Sequence, residues 1–272
     1  MARFWRLLPL LIVLVVPGYA LFEDNQSGVR AEGMAGSFTA VADDLSAIDF
    51  NPAGLAFVKE KQFQGFYKLL YGGAGANLHT IQVGVGVPSR RLGSFAVRIQ
   101  ETGFELQSQR SLKLAHGFQL AEGLAFGYGI NGYNLFQQDF GQGFALGLDL
   151  SLFTRFARFW SAGFYAHNIN MPRIGGSELP QVLFGGLGFS PRPGIQSALQ
   201  VAKEPGQRTQ FAFGQEFEVI PQYLMLRAGV QTEPIRFAFG LGTGIKNIGI
   251  DYALITHPVL TLTHNFGIRV NF

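Results

Sequence analysis

The stretch "GFALGLDLSLF" (residues 143–153) changes character at every residue. Phe144, Leu146, Leu148, Leu150 and Leu152 fall on one face, and Ala145, Gly147, Asp149 and Ser151 on the other. A two-residue period is that of a β-strand. In a soluble sheet the apolar face would cover a core, and the opposite face would carry polar groups with few glycines. Here the opposite face is small as well as polar, which suits the crowded interior of a barrel whose large apolar face meets lipid. The pattern recurs in "IRFAFGLGTGIK" (235–246). There Ile235, Phe237, Phe239, Leu241 and Ile245 oppose Arg236, Ala238, Gly240, Gly242, Gly244 and Lys246. It recurs again in "NIGIDYAL" (247–254), with Ile248, Ile250, Tyr252 and Leu254 against Gly249, Asp251 and Ala253.

Composition agrees. Aromatic residues make up 14% of the 272, 27 of them Phe, and 36 are glycines. Charged residues are only 14%, against roughly 25% for a soluble domain. No run of about 18 apolar residues is present, so the chain does not read as crossing a membrane by helices. The predicted fold class is all-β, a transmembrane antiparallel barrel. Fourteen alternating segments begin near residues 62, 77, 91, 105, 123, 142, 158, 179, 194, 208, 222, 234, 247 and 259. Tilted strands need roughly 9–11 residues to cross, so the turns between them are short. An even count returns both ends of the barrel to one side.

Three parts follow along the chain. Residues 1–20 read as a cleaved secretory signal, with Arg3 and Arg6, an apolar core from Leu7 to Val16, and Gly18-Tyr19-Ala20 at the cleavage site. Residues 21–61 lack sustained alternation, and residues 62–272 form the barrel. Without the two signal arginines, 19 Lys and Arg face 18 Asp and Glu. The sequence pI of 9.2 is therefore no sign of nucleic-acid binding. The chain has no cysteine, which removes disulfides and thiolate metal sites. The histidines stand in no metal-ligand spacing and beside no carboxylate pair, so no metal or other cofactor is expected. His167-Asn168 and His264-Asn265 are present, but no serine is singled out for a hydrolase triad. The alternate glycines at 240, 242 and 244 line one strand face and do not open a phosphate loop. The reading is not an enzyme.

The last strand, "LTLTHNFGIRVNF" (260–272), sets Phe266, Ile268, Val270 and Phe272 on one face and closes on an aromatic. Many outer-membrane barrels end this way, with the final strand read by the barrel-assembly machinery. It is the expected assembly signal.

Near the start lies "GMAGSFTAVADDLSAIDFNPAGLA" (33–56), with Ala42-Asp43-Asp44 followed by Asn51-Pro52-Ala53-Gly54. This resembles the N-terminal signature of the FadL-like and PorV/PorQ-like outer-membrane β-barrel superfamily. The resemblance implies a barrel of about 14 strands whose N-terminal segment folds inside the lumen as a small helical plug, or hatch. The residues fit. Asn51 can cap a helix start, Pro52 suits the first helical position, and Asp43 and Asp44 can cap a turn or pair with lumenal bases.

Alternation nominates Arg98, Lys113, Asp149, Glu216, Arg227, Arg236, Asp251 and Arg269 as lumen-facing. Glu216 and Arg227 lie on consecutive strands, as do Asp251 and Arg269, with Arg236 one strand earlier. Such pairs brace the interior or bind the plug acids, and an arginine could instead meet a ligand carboxylate. The resemblance implies an integral protein of the bacterial outer membrane, in contact with its lipid. Its function would be a FadL-like channel or transporter for hydrophobic small molecules such as fatty acids. The alternative it implies is a PorV/PorQ-like accessory barrel with secretion-system proteins as partners. The short loops depart from the large external loops of both branches.

Overall fold

The computed structural model describes Phe22 and residues 26–73, 78–104 and 106–272. The expected signal peptide, 1–20, lies outside the described residues. Gln62 opens the barrel. Its first half is β1 (Gln62–Leu69), β2 (His79–Ser89), β3 (Gly93–Phe104), β4 (Gln107–Ala121), β5 (Leu124–Gln137), β6 (Gly141–Phe156) and β7 (Trp160–His167). A two-residue ribbon, β8 (Arg173–Ile174) with β9 (Ser177–Glu178), lies in the next loop. The barrel resumes with β10 (Val182–Arg192), β11 (Ile195–Lys203), β12 (Gln210–Ile220) and β13 (Leu224–Gln231). It finishes with β14 (Arg236–Ile245), β15 (Ile248–Ile255) and β16 (Thr263–Asn271).

Apart from the ribbon, each strand pairs antiparallel with the next. β16 closes on β1 with Gln62 opposite Asn271 and Leu69 opposite His264. The closed ring has fourteen strands, the number the alternation gave. Ring closure pairs every barrel strand on both sides over at least part of its length, as lipid demands, because it offers no hydrogen bonds to a bare edge.

The pleat decides what faces where. On β6, Leu146, Leu148, Leu150 and Leu152 are exposed on the outer wall while Asp149 and Ser151 are buried inside. On β14, Phe237, Phe239 and Leu241 are exposed and Ala238 is buried. An apolar exterior of this extent has no counterpart on a soluble monomer, whose largest apolar patches run to a few hundred Å². No helix among the described residues is long and apolar enough to cross a membrane. Strands do the crossing.

The two ends of the barrel differ. At one end, here the turn end, every connection is two or three residues long: 90–92, 122–123, 157–159, 193–194, 221–223 and 246–247. β1 starts and β16 finishes there. At the other, the loop end, connections include 70–78, 168–181, 204–209 and 256–262. One seam is irregular. β6 pairs with β5 from Gly141 to Thr154, but with β7 only from Leu150 to Phe156. The loop-end half of β6 therefore has no barrel strand on its β7 side, and the 168–181 loop folds across that interval.

The lumen is filled by residues 26–58. They form α1 (Val29–Gly33), α2 (Ala47–Phe50) and a 3-10 helix (Pro52–Phe57). Helices this short do not hold themselves. Met34, Phe38, Leu45, Ile48, Phe50 and Leu55 close on one another as a small core, which packs on wall alanines 96, 115 and 198. At Gly127 on β5 an added Cβ would sit 2.2 Å from the Ala53 nitrogen, so the wall needs glycine where the plug backbone touches it.

A lumenal site built from ion pairs and a covered seam

Asn51 is the pivot of the plug. Its Oδ1 accepts from Ala53 N at 3.1 Å, which caps the 3-10 helix that Pro52 begins. Its amide nitrogen donates to Thr39 O at 2.8 Å and to Leu152 O of β6 at 3.0 Å. Ser151 of β6 accepts a second bond from Ala53 N at 2.9 Å. Gly54 packs on Ala42, where a Cβ would lie 2.1 Å from the Ala42 carbonyl oxygen. The Asn-Pro-Ala-Gly motif is thus both a helix start and a tie to the barrel wall.

Charged side chains join plug and wall in two groups. The first centres on Arg30 of α1. Its guanidinium binds Asp43 at 2.5 Å, Asp44 at 3.0 Å, and both oxygens of Glu216 on β12 at 2.8 and 2.9 Å. Glu216 is opposite Arg227 of β13 in register and accepts from its Nε at 2.6 Å. Arg227 continues to Asp251 of β15 at 2.7 Å, and Asp251 to Arg269 of β16 at 2.7 Å. Asp44 also accepts from Ser46 N at 2.8 Å, capping the turn into α2. Burial pushes the Asp44 carboxyl upward, but the charges of Arg30 and Arg269, with hydrogen bonds from Arg30 and Ser46, together outweigh it and hold the group below the usual carboxylate range.

The second group lies on the opposite wall. Arg98 of β3 binds Asp49 of α2 at 2.9 Å and Ser111 at 2.5 Å. Lys113 stands opposite Arg98 in register. These like charges are tolerated because each has its own acid, Lys113 meeting Asp149 of β6 at 2.6 Å. Tyr165 donates to Asp149 at 2.8 Å, and His167 Nδ1 lies 2.9 Å from the other Asp149 oxygen. A third tie joins Lys68 of β1 to Glu32 of α1 at 2.7 Å. Removing one member of such a buried pair strands the other's charge, at roughly 3–5 kcal/mol.

The eight nominated lumen residues all sit on the inward-facing parity of their strands. Seven enter these networks. Arg236 does not: it pairs in register with Gln231 at the loop end, away from Asp251, and Arg227 is the base that reaches Asp251 instead. Of the histidines, which stand beside no carboxylate pair in the sequence, the short β7 carries His167 to the single carboxylate of Asp149. Arg30, Glu32, Asp49, Lys68 and Tyr165 were not nominated. Parity along β1 and β7 would have flagged Lys68 and Tyr165. Within the plug no period exists to flag the others. Of the terminal residues, Phe266, Ile268 and Phe272 are exposed on the outer wall and Val270 is half-buried. The Phe272 nitrogen donates to Lys61 O at 3.0 Å, carrying the closing seam one residue past β16.

Little space is left. One cavity, about 50 Å³, lies between Asp49, Arg98, Lys113, Tyr165 and His167, with Phe22 and Phe184 across it. Ligand pockets run to several hundred Å³. Next to it the 168–181 loop covers the incomplete seam. Ile169 N donates to Leu148 O at 2.8 Å, and the Asn170 side chain bonds Leu148 N and Leu146 O, each at 2.8 Å. Asn168 holds the loop root, accepting from Tyr133 at 2.9 Å and donating to Pro180 O at 2.8 Å. Ile174 and Leu179 of this loop pack on Phe22 and Tyr133 as a second apolar cluster, the Phe22 ring edge-on to Tyr133 at 4.9 Å.

A lumen filled by an N-terminal plug inside a lipid-facing strand barrel defines a class, the plugged outer-membrane β-barrel. Comparison with known proteins is more specific. The chain shares its fold with a FadL homologue of Pseudomonas aeruginosa, with a TM-score of 0.63 at 11% identity over 90% of this chain and 98% of that one. The Ralstonia pickettii toluene transporter TbuX matches with a TM-score of 0.65 at 14% identity, over 93% of this chain and 100% of that one. The Pseudomonas putida toluene transporter TodX matches at 0.63 and 12%, over 90% and 97%. The likeness at these identities is one of fold alone. Residues 23–140, which span the plug and β1–β5, match an uncharacterised protein family, UPF0164. No curated protein matches the chain.

Proposed function

We propose that the protein is an outer-membrane conduit for hydrophobic small molecules. In this reading residues 1–20 are removed on export, 21–61 form the plug and 62–272 the barrel. Short turns mark the periplasmic end of outer-membrane barrels, which puts the 168–181 loop outside. The observation that carries the reading is the incomplete seam beside β6, with the apolar cluster that its loop forms with Phe22 and Tyr133. Along the axis the lumen is blocked by buried ion pairs, a poor path for a greasy solute. Beside the seam, Phe22, Tyr133, Ile174 and Leu179 offer a buried apolar cluster. Phe22 lies across the adjoining cavity, so a ring-sized ligand that displaced it would gain both spaces. Solute would enter at the loop end, settle there and leave by the seam or past a shifted plug, a choice between two states set by differential binding. Fatty acids and monoaromatic hydrocarbons are both of the right chemistry.

Native mass spectrometry of protein gently extracted from its own membrane tests this. The expected result is a bound lipophile released at high collision energy, absent from an Ile174→Asp, Leu179→Asp variant that still folds. A barrel carrying a polypeptide and no small molecule would overturn the reading in favour of a secretion accessory.

A further inference from the structure

The charges at the two ends are arranged differently. At the loop end three exposed arginines have acids: Arg110 meets Glu101 at 3.1 Å, Arg208 meets Glu233 at 3.4 Å, and Arg173 pairs with Glu178, while Lys203 donates to the Gln207 carbonyl. At the turn end Lys59, Lys61, Arg90, Arg91, Arg155, Arg158, Arg192 and Lys246 are all exposed, and among the described residues none of them is in an ion pair. Two exposed acids, Glu60 and Glu122, share that end with them. Among the described residues, eight such cations against two exposed acids leave a positive rim.

Their spacing says what would meet them. Lys61 precedes β1, Arg90 and Arg91 form the β2–β3 turn, and Arg158 is in the β6–β7 turn. Arg192 ends β10, and Lys246 is in the β14–β15 turn. The cations therefore run round the circumference and do not gather on one side of the mouth. Each of three turns also sets an exposed apolar side chain next to a base: Leu92 after Arg91, Phe159 after Arg158, and Ile245 before Lys246. Arg158 lies 5.0 Å over the Phe159 ring. An apolar group beside a cation, just past the end of a lipid-facing wall, suits the boundary between acyl chains and head groups. A protein partner would contact one arc of this rim, whereas a lipid leaflet contacts all of it.

We propose that the turn-end rim is a binding surface for anionic phospholipid head groups. It selects them over zwitterionic ones in the leaflet at that end. Each base near an anionic surface adds about a five-fold gain in affinity, so several sharing a lipid give a large preference.

The test uses the full chain refolded in vesicles of equimolar phosphatidylcholine and phosphatidylglycerol, then extracted in mild detergent, with retained lipids weighed by mass spectrometry. Retained phosphatidylglycerol should exceed phosphatidylcholine severalfold, and the excess should fall as salt is raised before extraction. An R90Q/R91Q/R158Q/K246Q variant, confirmed folded by its heat-modifiable mobility, should lose the excess. The salt series on the unaltered chain decides the matter if the variant fails to fold. Retention in the bulk ratio by the unaltered chain overturns the proposal and points to an acidic polypeptide as the partner of the rim. An excess insensitive to both salt and substitution overturns it as well.

Discussion

Arg30 holds three carboxylates at once, two from the plug and one from the wall. Arg30→Ala would strand these acids in a buried site, and we expect a loss of about 3–5 kcal/mol in plug docking. Hydrogen exchange read by mass spectrometry should then rise across residues 29–57 and stay unchanged in the strands. Arg30→Lys should recover little, since an ammonium cannot span both Glu216 oxygens as the guanidinium does. Acid should act on the same site. The folded Asp44 carboxyl titrates below its ordinary 3.8, so its contribution is complete above that pH and is lost as pH falls through the depressed value. Plug exchange should accelerate in that acid range, and less so in Asp44→Asn. The inward set on the strands was legible at this scale, because a period of two assigns every residue a face. Which acid meets which base was not. Arg227 and not Arg236 reaches Asp251 because contact depends on height along the barrel as well as on face.

Among the elements, the strands were the easiest to read and the plug the hardest. Fourteen segments announced themselves by alternation, and their starts fall within a few residues of the strands. The plug has no such period, only a cap motif and a shift in composition, and its helices exist because the lumen surrounds them. Two experiments address it. Deleting residues 28–57 should raise single-channel conductance in planar bilayers several-fold, and an unaltered conductance would mean that the plug does not close the lumen. Gly127→Ala, whose Cβ would meet Ala53 at 2.2 Å, should raise conductance in the same direction by a smaller step. The closing seam makes its own prediction. Phe272 extends the β16–β1 pairing to Lys61, and its removal should lower the yield of heat-modifiable folded barrel. The short β7 was not legible, since alternation reports which way a residue faces and not whether a neighbour strand continues alongside it. That missing stretch of pairing creates the seam under the 168–181 loop.

The whole molecule turns its apolar side outward to lipid, its charge inward to the plug and, among the described residues, most of its exposed bases without ion pairs to one end. Composition made the first of these legible, because few charges and many aromatics suit no soluble surface. The second and third depend on closure of the ring and on which end each turn occupies. Our central claim is that this barrel passes hydrophobic molecules while its plug and buried ion pairs exclude polar ones. Uptake into bacteria with a lipopolysaccharide-bearing outer membrane tests it most directly, comparing cells with and without the full chain. Labelled toluene, a labelled long-chain fatty acid and a small sugar would each be followed. The account predicts faster, saturable uptake of at least one of the two hydrophobic solutes with sugar entry unchanged, and loss of the gain in the Ile174→Asp, Leu179→Asp variant. Hydrophobic uptake equal in both cells, or a gain confined to the sugar, would contradict it.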